Sequence, residues 1–179
     1  WLQQQKKFSA LFTTEATLEH PEFSQIMQLH QGHIFILSEV LYKDLSLLGT
    51  TLPCLAIIEL PQNPPQIDFN QDTLILENVQ DPGNVGTLLR SAAAANIKQV
   101  LCTQGSASLW APRVLRAGMG AHFSLSCYEN IVLQEILPHF KIPVYVTSSH
   151  QSTSLYSKDL NQAGVWILGN EGQGASDYA

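Results

Sequence analysis

The sequence predicts an α/β protein, a parallel sheet with helices on both faces, preceded by a smaller α/β sandwich. Three observations carry this expectation. Short apolar runs alternate with helical segments through the second part of the chain, as in a sheet buried on both faces. Turn-rich and glycine-rich segments follow several of those runs, at the strand ends where ligands of such sheets bind. Three prolines within Pro61–Pro65 resist both helix and central strand, and divide the chain into residues 1–62 and 68–179.

In the first part, Ala10–Thr14 reads as a short strand. Pro21–Gln31 reads as a helix, with Phe23, Ile26, Met27 and, less regularly, Leu29 at helical spacing. His33–Leu37 reads as a strand, Ser38 as the N-cap of a helix over Glu39–Leu47, and Leu52–Leu60 as another strand. In the second part, Asp72–Glu77 is expected to be a strand and Gly86–Asn96 a helix. Gln99–Thr103 is a strand, and Pro112–Gly118 a short helix opening on proline. His122–Leu125 reads as a short strand and Asn130–Phe140 as an amphipathic helix. Pro143–Thr147 and Val165–Leu168 are the remaining strands. Segments 78–86, 104–112, 147–152 and 169–174 follow strands and therefore share one edge of the sheet.

With 45% hydrophobic and 13% charged residues, the chain is too apolar to be disordered. Its longest apolar stretches, such as Cys54–Ile58, fall far short of the roughly 20 residues of a membrane span, so no span is expected. The start lacks the apolar core of a signal peptide, and the absence of an initiating methionine suggests a segment of something longer. Cys54, Cys102 and Cys127 are far apart, which argues against a disulfide framework or zinc site and fits a reducing cytoplasm. His20, His30, His33, His122, His139 and His150 show no metal-ligand spacing, so no metal is expected. A net charge of −6, from 9 basic and 15 acidic residues, lacks the surplus that non-specific nucleic-acid binders rely on. Yet all the arginines, Arg90, Arg113 and Arg116, fall within residues 90–116. That clustering leaves open either a local phosphate-binding site or three unrelated surface side chains.

Two segments carry most of the chemistry. In Glu77–Arg90, a strand passes through an Asp-Pro-Gly-Asn turn into a helix expected to start near Gly86, with Arg90 one turn inside. Free N–H groups at such a start would favour an anion, although an ordinary strand-turn-helix junction reads the same way. In Leu168–Gly174, three glycines in a G-x-x-G-x-G pattern let backbone approach a ligand, or simply form a flexible loop. The spacing is neither the dinucleotide fingerprint nor a P-loop, which argues against a nicotinamide-dependent oxidoreductase. Between them, Ser106–Ala121 supplies Arg113, Arg116 and two flexible glycines.

Taken in order, these segments closely resemble the SpoU, or TrmH-like, RNA ribose 2′-O-methyltransferases. The N-x-G-x-x-x-R motif reads Asn84-Val-Gly86-Thr-Leu-Leu-Arg90, and G-x-E-G-x-G reads Gly169-Asn-Glu171-Gly172-Gln-Gly174. Ala111–Ala121 is similar to the stretch that joins them. Residues 1–62 resemble, more weakly, part of an L30e-like substrate-binding domain. The resemblance implies a SPOUT-type trefoil-knot fold whose C-terminal knotting segment lies beyond Ala179. It implies S-adenosylmethionine as cofactor, rRNA or tRNA as substrate and a homodimer.

By the same resemblance, Arg90, Asn84 and Glu171 are catalytic. Thr147, Ser148, Leu168, Gly169, Asn170 and Gly172 would bind cofactor, and Arg113 and Arg116 would contact RNA. A guanidinium is a poor base, so Arg90 is expected to pair with an RNA phosphate and stabilise a developing alkoxide, with Asn84 and Glu171 holding it and the turn in place. The alternative is a catalytically inactive RNA-binding protein of the same fold. Presence of all three motif residues argues against it.

Overall fold

The computed structural model describes residues 8–29, 32–46, 54–60, 66–148, 153–176 and 178. Several sequence expectations lie outside these: the Pro61–Pro65 linker, His30, Leu47, Leu52, Ser149 and His150. The chain divides into two compact units, Trp1–Gln62 and Asn63–Ala179.

The first unit is built on a three-stranded sheet of order β2-β1-β3, from β1 (Phe8–Thr14), β2 (His33–Leu37) and β3 (Cys54–Ile58). β1 pairs parallel with β2 and antiparallel with β3. Three helices accompany it: α1 (Glu15–Leu18), α2 (Pro21–Leu29) and α3 (Glu39–Leu45). Leu11, Thr13, Phe23 and Tyr42 are buried. Ser38 caps α3 as expected, its hydroxyl accepting from the Leu41 N–H at 3.4 Å.

The second unit is a five-stranded sheet of order β6-β5-β4-β8-β7, in which every adjacent pair is parallel. Its strands are β4 (Thr73–Leu76), β5 (Gln99–Thr103), β6 (Ser126–Ile131), β7 (Val144–Val146) and β8 (Val165–Leu168). Its helices are α4 (Pro82–Ala94), α5 (Pro112–Gly118) and α6 (Leu133–Ile136). All four residues of central β4 are buried, which explains its unbroken apolar run. On one face Leu74, Leu76, Val100 and Cys102 pack with Val85, Leu89 and Ala92 of α4 and Val114 of α5. On the other, Ile75, Leu101, Val165 and Ile167 pack with Leu133 of α6 and Phe140. Because all five strands run the same way, the segments after them gather at one rim.

Three elements differ from expectation. α4 starts at Pro82 rather than near Gly86. Asp81 is its N-cap, its carboxylate accepting the Asn84 N–H at 2.8 Å, and Pro82 at the first position has no N–H to leave unsatisfied. The expected strand His122–Leu125 is instead a 3₁₀ turn over Ala121–Phe123, with β6 beginning at Ser126. Left-handed Met119 (φ 47°) and Gly120 (φ 88°) turn the chain there, and the buried His122 ring points inward. The helix expected over Asn130–Phe140 is interrupted. β6 runs on to Ile131, α6 is a single turn, and Leu137–His139 is 3₁₀. Pro138 lacks the N–H an α-helix needs and would clash with a preceding carbonyl.

Candidate functional site

At the rim, the segment after β4 meets the segment after β8 through side chains of both. The Glu171 carboxylate accepts from the Asn84 side-chain amide at 3.1 Å, and from the backbone N–H groups of Asp81 and Gln80 at 3.2 and 3.4 Å. These donors, the Asn84 amide foremost, push the Glu171 carboxyl down to about 2 from an ordinary 4.5. Asn170 donates its amide to the Asn78 carbonyl at 2.9 Å, while its side-chain oxygen accepts from Gly172 and Gln173 N–H groups. Glu77 reaches across to Ser176, accepting from its N–H at 2.9 Å and its hydroxyl at 2.5 Å. The two motif segments are therefore laced together along their length.

This lacing bears on two points where the sequence leaves alternatives open. The start of α4 is not a vacant anion site, because Asp81 and Glu171 already accept from Asn84, Gln80 and Asp81. On the side that a side chain would take, Gly169 is filled by the chain itself. A Cβ there would lie 2.1 Å from both the Gly174 carbonyl carbon and the Ala175 nitrogen, so what approaches is the loop's own returning backbone. Gly172 is open by comparison, its nearest neighbour being the Asn170 side-chain oxygen at 3.5 Å.

Arg90 is placed differently from its expected position. With α4 starting at Pro82, Arg90 falls in the third turn, about 9 Å of helix rise beyond Asn84. It is exposed, as are Asn84 and Thr87, which share the solvent-facing side of the helix. Among the described residues nothing joins Arg90 to Asn84 or Glu171 directly, so those two residues hold the turn rather than the guanidinium. The other side of α4 packs on α5. A Cβ on Gly86 would meet that of Ala117 at 2.3 Å, so the motif's middle glycine serves helix contact. Arg113 and Arg116 lie on the exposed side of α5.

The segment leading to α5 is fixed at Leu109. Its N–H donates to Glu129 at 2.7 Å, and its carbonyl lies 2.7 Å from His122 Nε2. Burial pushes the His122 imidazole down, which keeps the ring neutral, with Nε2–H donating. Motif reasoning did not single out either residue. A single His or Glu outside a motif carries no signal of what it will hold.

Thr147, Ser148 and Leu168 line one cavity of about 650 Å³, together with Trp166, Lys158 and others. Tyr145 stacks on Trp166 with ring centroids 4.7 Å apart, in space left by Gly164. The size suits a cofactor-scale ligand. The Thr147 hydroxyl donates to the Ile167 carbonyl at 3.3 Å, which leaves its oxygen able to accept. An amphipathic nucleoside cofactor fits this set: aromatic and aliphatic walls, hydroxyls, and Gly172 open at the adjoining bend. Gly169 and Asn170 shape that bend. Among the described residues no cluster of three or more metal-ligating side chains occurs, and no helix is long and apolar enough to cross a membrane.

A parallel α/β sheet whose rim joins an Asn-x-Gly-x-x-x-Arg helix start to a Gly-x-Glu-Gly-x-Gly bend defines a class of ligand-binding domain. The chain belongs to the SpoU rRNA Methylase family, whose profile matches residues 72–179. It is 38% identical over 116 residues to zebrafish (Danio rerio) rRNA methyltransferase 3B, mitochondrial. That match covers 59% of this chain and 26% of the relative, so the chain spans about a quarter of that protein's length. An RNA 2′-O ribose methyltransferase structure matches 98% of this chain and 69% of its own, at 25% identity and a TM-score of 0.78. The SpoU methyltransferase AviRb from Streptomyces viridochromogenes, solved in complex with the cofactor AdoMet, has the same fold. It matches 98% of this chain and 69% of its own, at 18% identity and a TM-score of 0.80.

Proposed function

We propose that the protein transfers a methyl group from S-adenosylmethionine to a ribose 2′-hydroxyl of rRNA or tRNA. The observation that carries this reading is the Glu171–Asn84 hydrogen bond, which ties the two family motifs into one rim. S-adenosylmethionine, when bound, would supply an activated methyl group on a sulfonium and leave as S-adenosylhomocysteine, the hydroxyl proton passing to solvent. Thr147, Ser148 and Leu168 would hold it in their cavity, with Gly172 at the adjoining bend. Asn84 and Glu171 keep the start of α4 rigid, so that the reacting hydroxyl meets a fixed geometry. Arg90, exposed on that helix, forks an RNA phosphate and stabilises charge developing on the 2′-oxygen.

Replacing Arg90 by Lys in the full-length protein tests the fork. Lysine keeps the charge and loses the bidentate geometry, so turnover falls by about tenfold or more. Near-normal turnover in that variant rules the fork out. A merely RNA-binding protein of this fold would retain RNA affinity but show no methyl transfer in any variant.

The N-terminal unit is proposed to be part of an L30e-like RNA-binding domain, on the strength of its mixed α/β sheet. A homodimer is proposed because two copies of Arg113 and Arg116 can line one groove on a body of net charge −6. Sedimentation with labelled RNA, on protein with and without residues 1–62, examines both. The expected outcome is a dimer in both forms, with RNA affinity weakened in the shortened one. A monomer, or unchanged affinity, contradicts the respective proposal.

A further inference from the structure

Asn78, which belongs to neither family motif as read from the sequence, stands where three rim segments meet. It is one of the non-glycine residues with left-handed backbone, at φ 54°. In that conformation its polar groups point to different neighbours. Its N–H donates to the Thr103 hydroxyl at 3.0 Å, at the end of β5. Its carbonyl accepts from the Asn170 amide at 2.9 Å, in the bend after β8. Its side-chain oxygen accepts from the Gln80 amide at 3.4 Å and lies where a Cβ on Gly105 would come within 2.7 Å. The next residue continues the pattern: the Val79 N–H donates to the Ser106 hydroxyl at 3.2 Å, and its carbonyl accepts from Ala107 at 2.8 Å.

The bond to Asn170 has a directional consequence. By engaging the NH₂ end of that amide, Asn78 leaves the oxygen end for the Gly172 and Gln173 N–H groups. The same bend carries Glu171, which holds Asn84 and the start of α4. A change of backbone at residue 78 thus reaches the glycine bend and the Arg90 helix together.

We propose that Asn78 is a positioning residue for methyl transfer, and that its left-handed backbone sets the register of the segments after β4, β5 and β8. This rests on the methyltransferase reading above. It makes Asn78→Gly conservative and Asn78→Ala disruptive, the reverse of what side-chain size suggests, because glycine adopts positive φ freely and alanine does so at a cost.

The test compares Asn78→Gly, Asn78→Ala and Asn170→Ala in the full-length protein, by amide hydrogen exchange and by steady-state kinetics. In Asn78→Ala, exchange over residues 104–107 and 169–174 accelerates about tenfold or more, while β4 and β5 stay protected. The KM for S-adenosylmethionine rises about tenfold, a change that mere loss of folded protein does not produce. Asn78→Gly stays within about threefold of wild type in both readouts. Asn170→Ala accelerates exchange over 169–174 only. Equal effects of Gly and Ala at position 78, or unchanged exchange in both segments of Asn78→Ala, overturn the proposal. Should wild-type protein transfer no methyl group, the methyltransferase reading fails, and exchange still decides whether Asn78 sets the register.

Discussion

Glu171 and Gly169 show how far single residues can be read. Both are recognisable as motif positions, and the motifs place Asn84 and Glu171 around one turn, with Arg90 rather than each other as the expected partner. What each residue does was not legible. Glycine spacing says that something passes close by, and at Gly169 that something is the chain itself. Asn78 carries no spacing signal, since one asparagine after a strand is ordinary until its φ is known. Glu171 supports a pH prediction with a definite sign. Its carboxyl is lowered to about 2 from 4.5, so the stability it contributes is complete above about pH 4.5 and is lost as pH falls towards 2. Thermal unfolding of wild type and Glu171→Gln should therefore differ at neutral pH and converge over that acid window. A constant difference across the window would show that the charge is not what the three donors stabilise.

At the scale of elements, the central strands are legible, whereas β6 and the helix ends are not. Runs of apolar residues mark β4, β5 and β8, because burial on both faces leaves few polar positions, Thr73 and Gln99 at the strand starts being the buried exceptions. The start of α4 is not legible because Asp81–Asn84 reads as a turn, although Asp81 is an N-cap followed by proline at the first helical position. The long helix expected after residue 130 overlooked Pro138. Gly86 links sequence to packing most directly. Alanine there meets the Ala117 Cβ at 2.3 Å and the Gly118 nitrogen at 2.8 Å. Gly86→Ala should cost about 1–3 kcal/mol by overpacking, despite the better helix propensity of alanine. Urea unfolding measures this as a lower midpoint at unchanged slope, and Ala117→Gly in the same chain should recover part of it. A stabilised Gly86→Ala variant would mean that α4 and α5 are not in close contact.

For the whole molecule, the α/β class was legible but the strand order was not. Alternation of strands and helices gives parallel pairing, yet nothing local says that β8, the last strand, inserts beside β4 rather than at an edge. That insertion brings the Gly169–Gly174 bend against the Asn84 helix, and the functional reading depends on it. The most direct measurement uses full-length protein, RNA and S-adenosylmethionine carrying a labelled methyl group, with nucleoside analysis of the digested product. Wild type should yield labelled 2′-O-methylnucleosides, and Arg90→Ala should yield almost none while still binding S-adenosylhomocysteine. Label on a base, no label in wild type, or equal label in Arg90→Ala would contradict ribose methylation supported by Arg90.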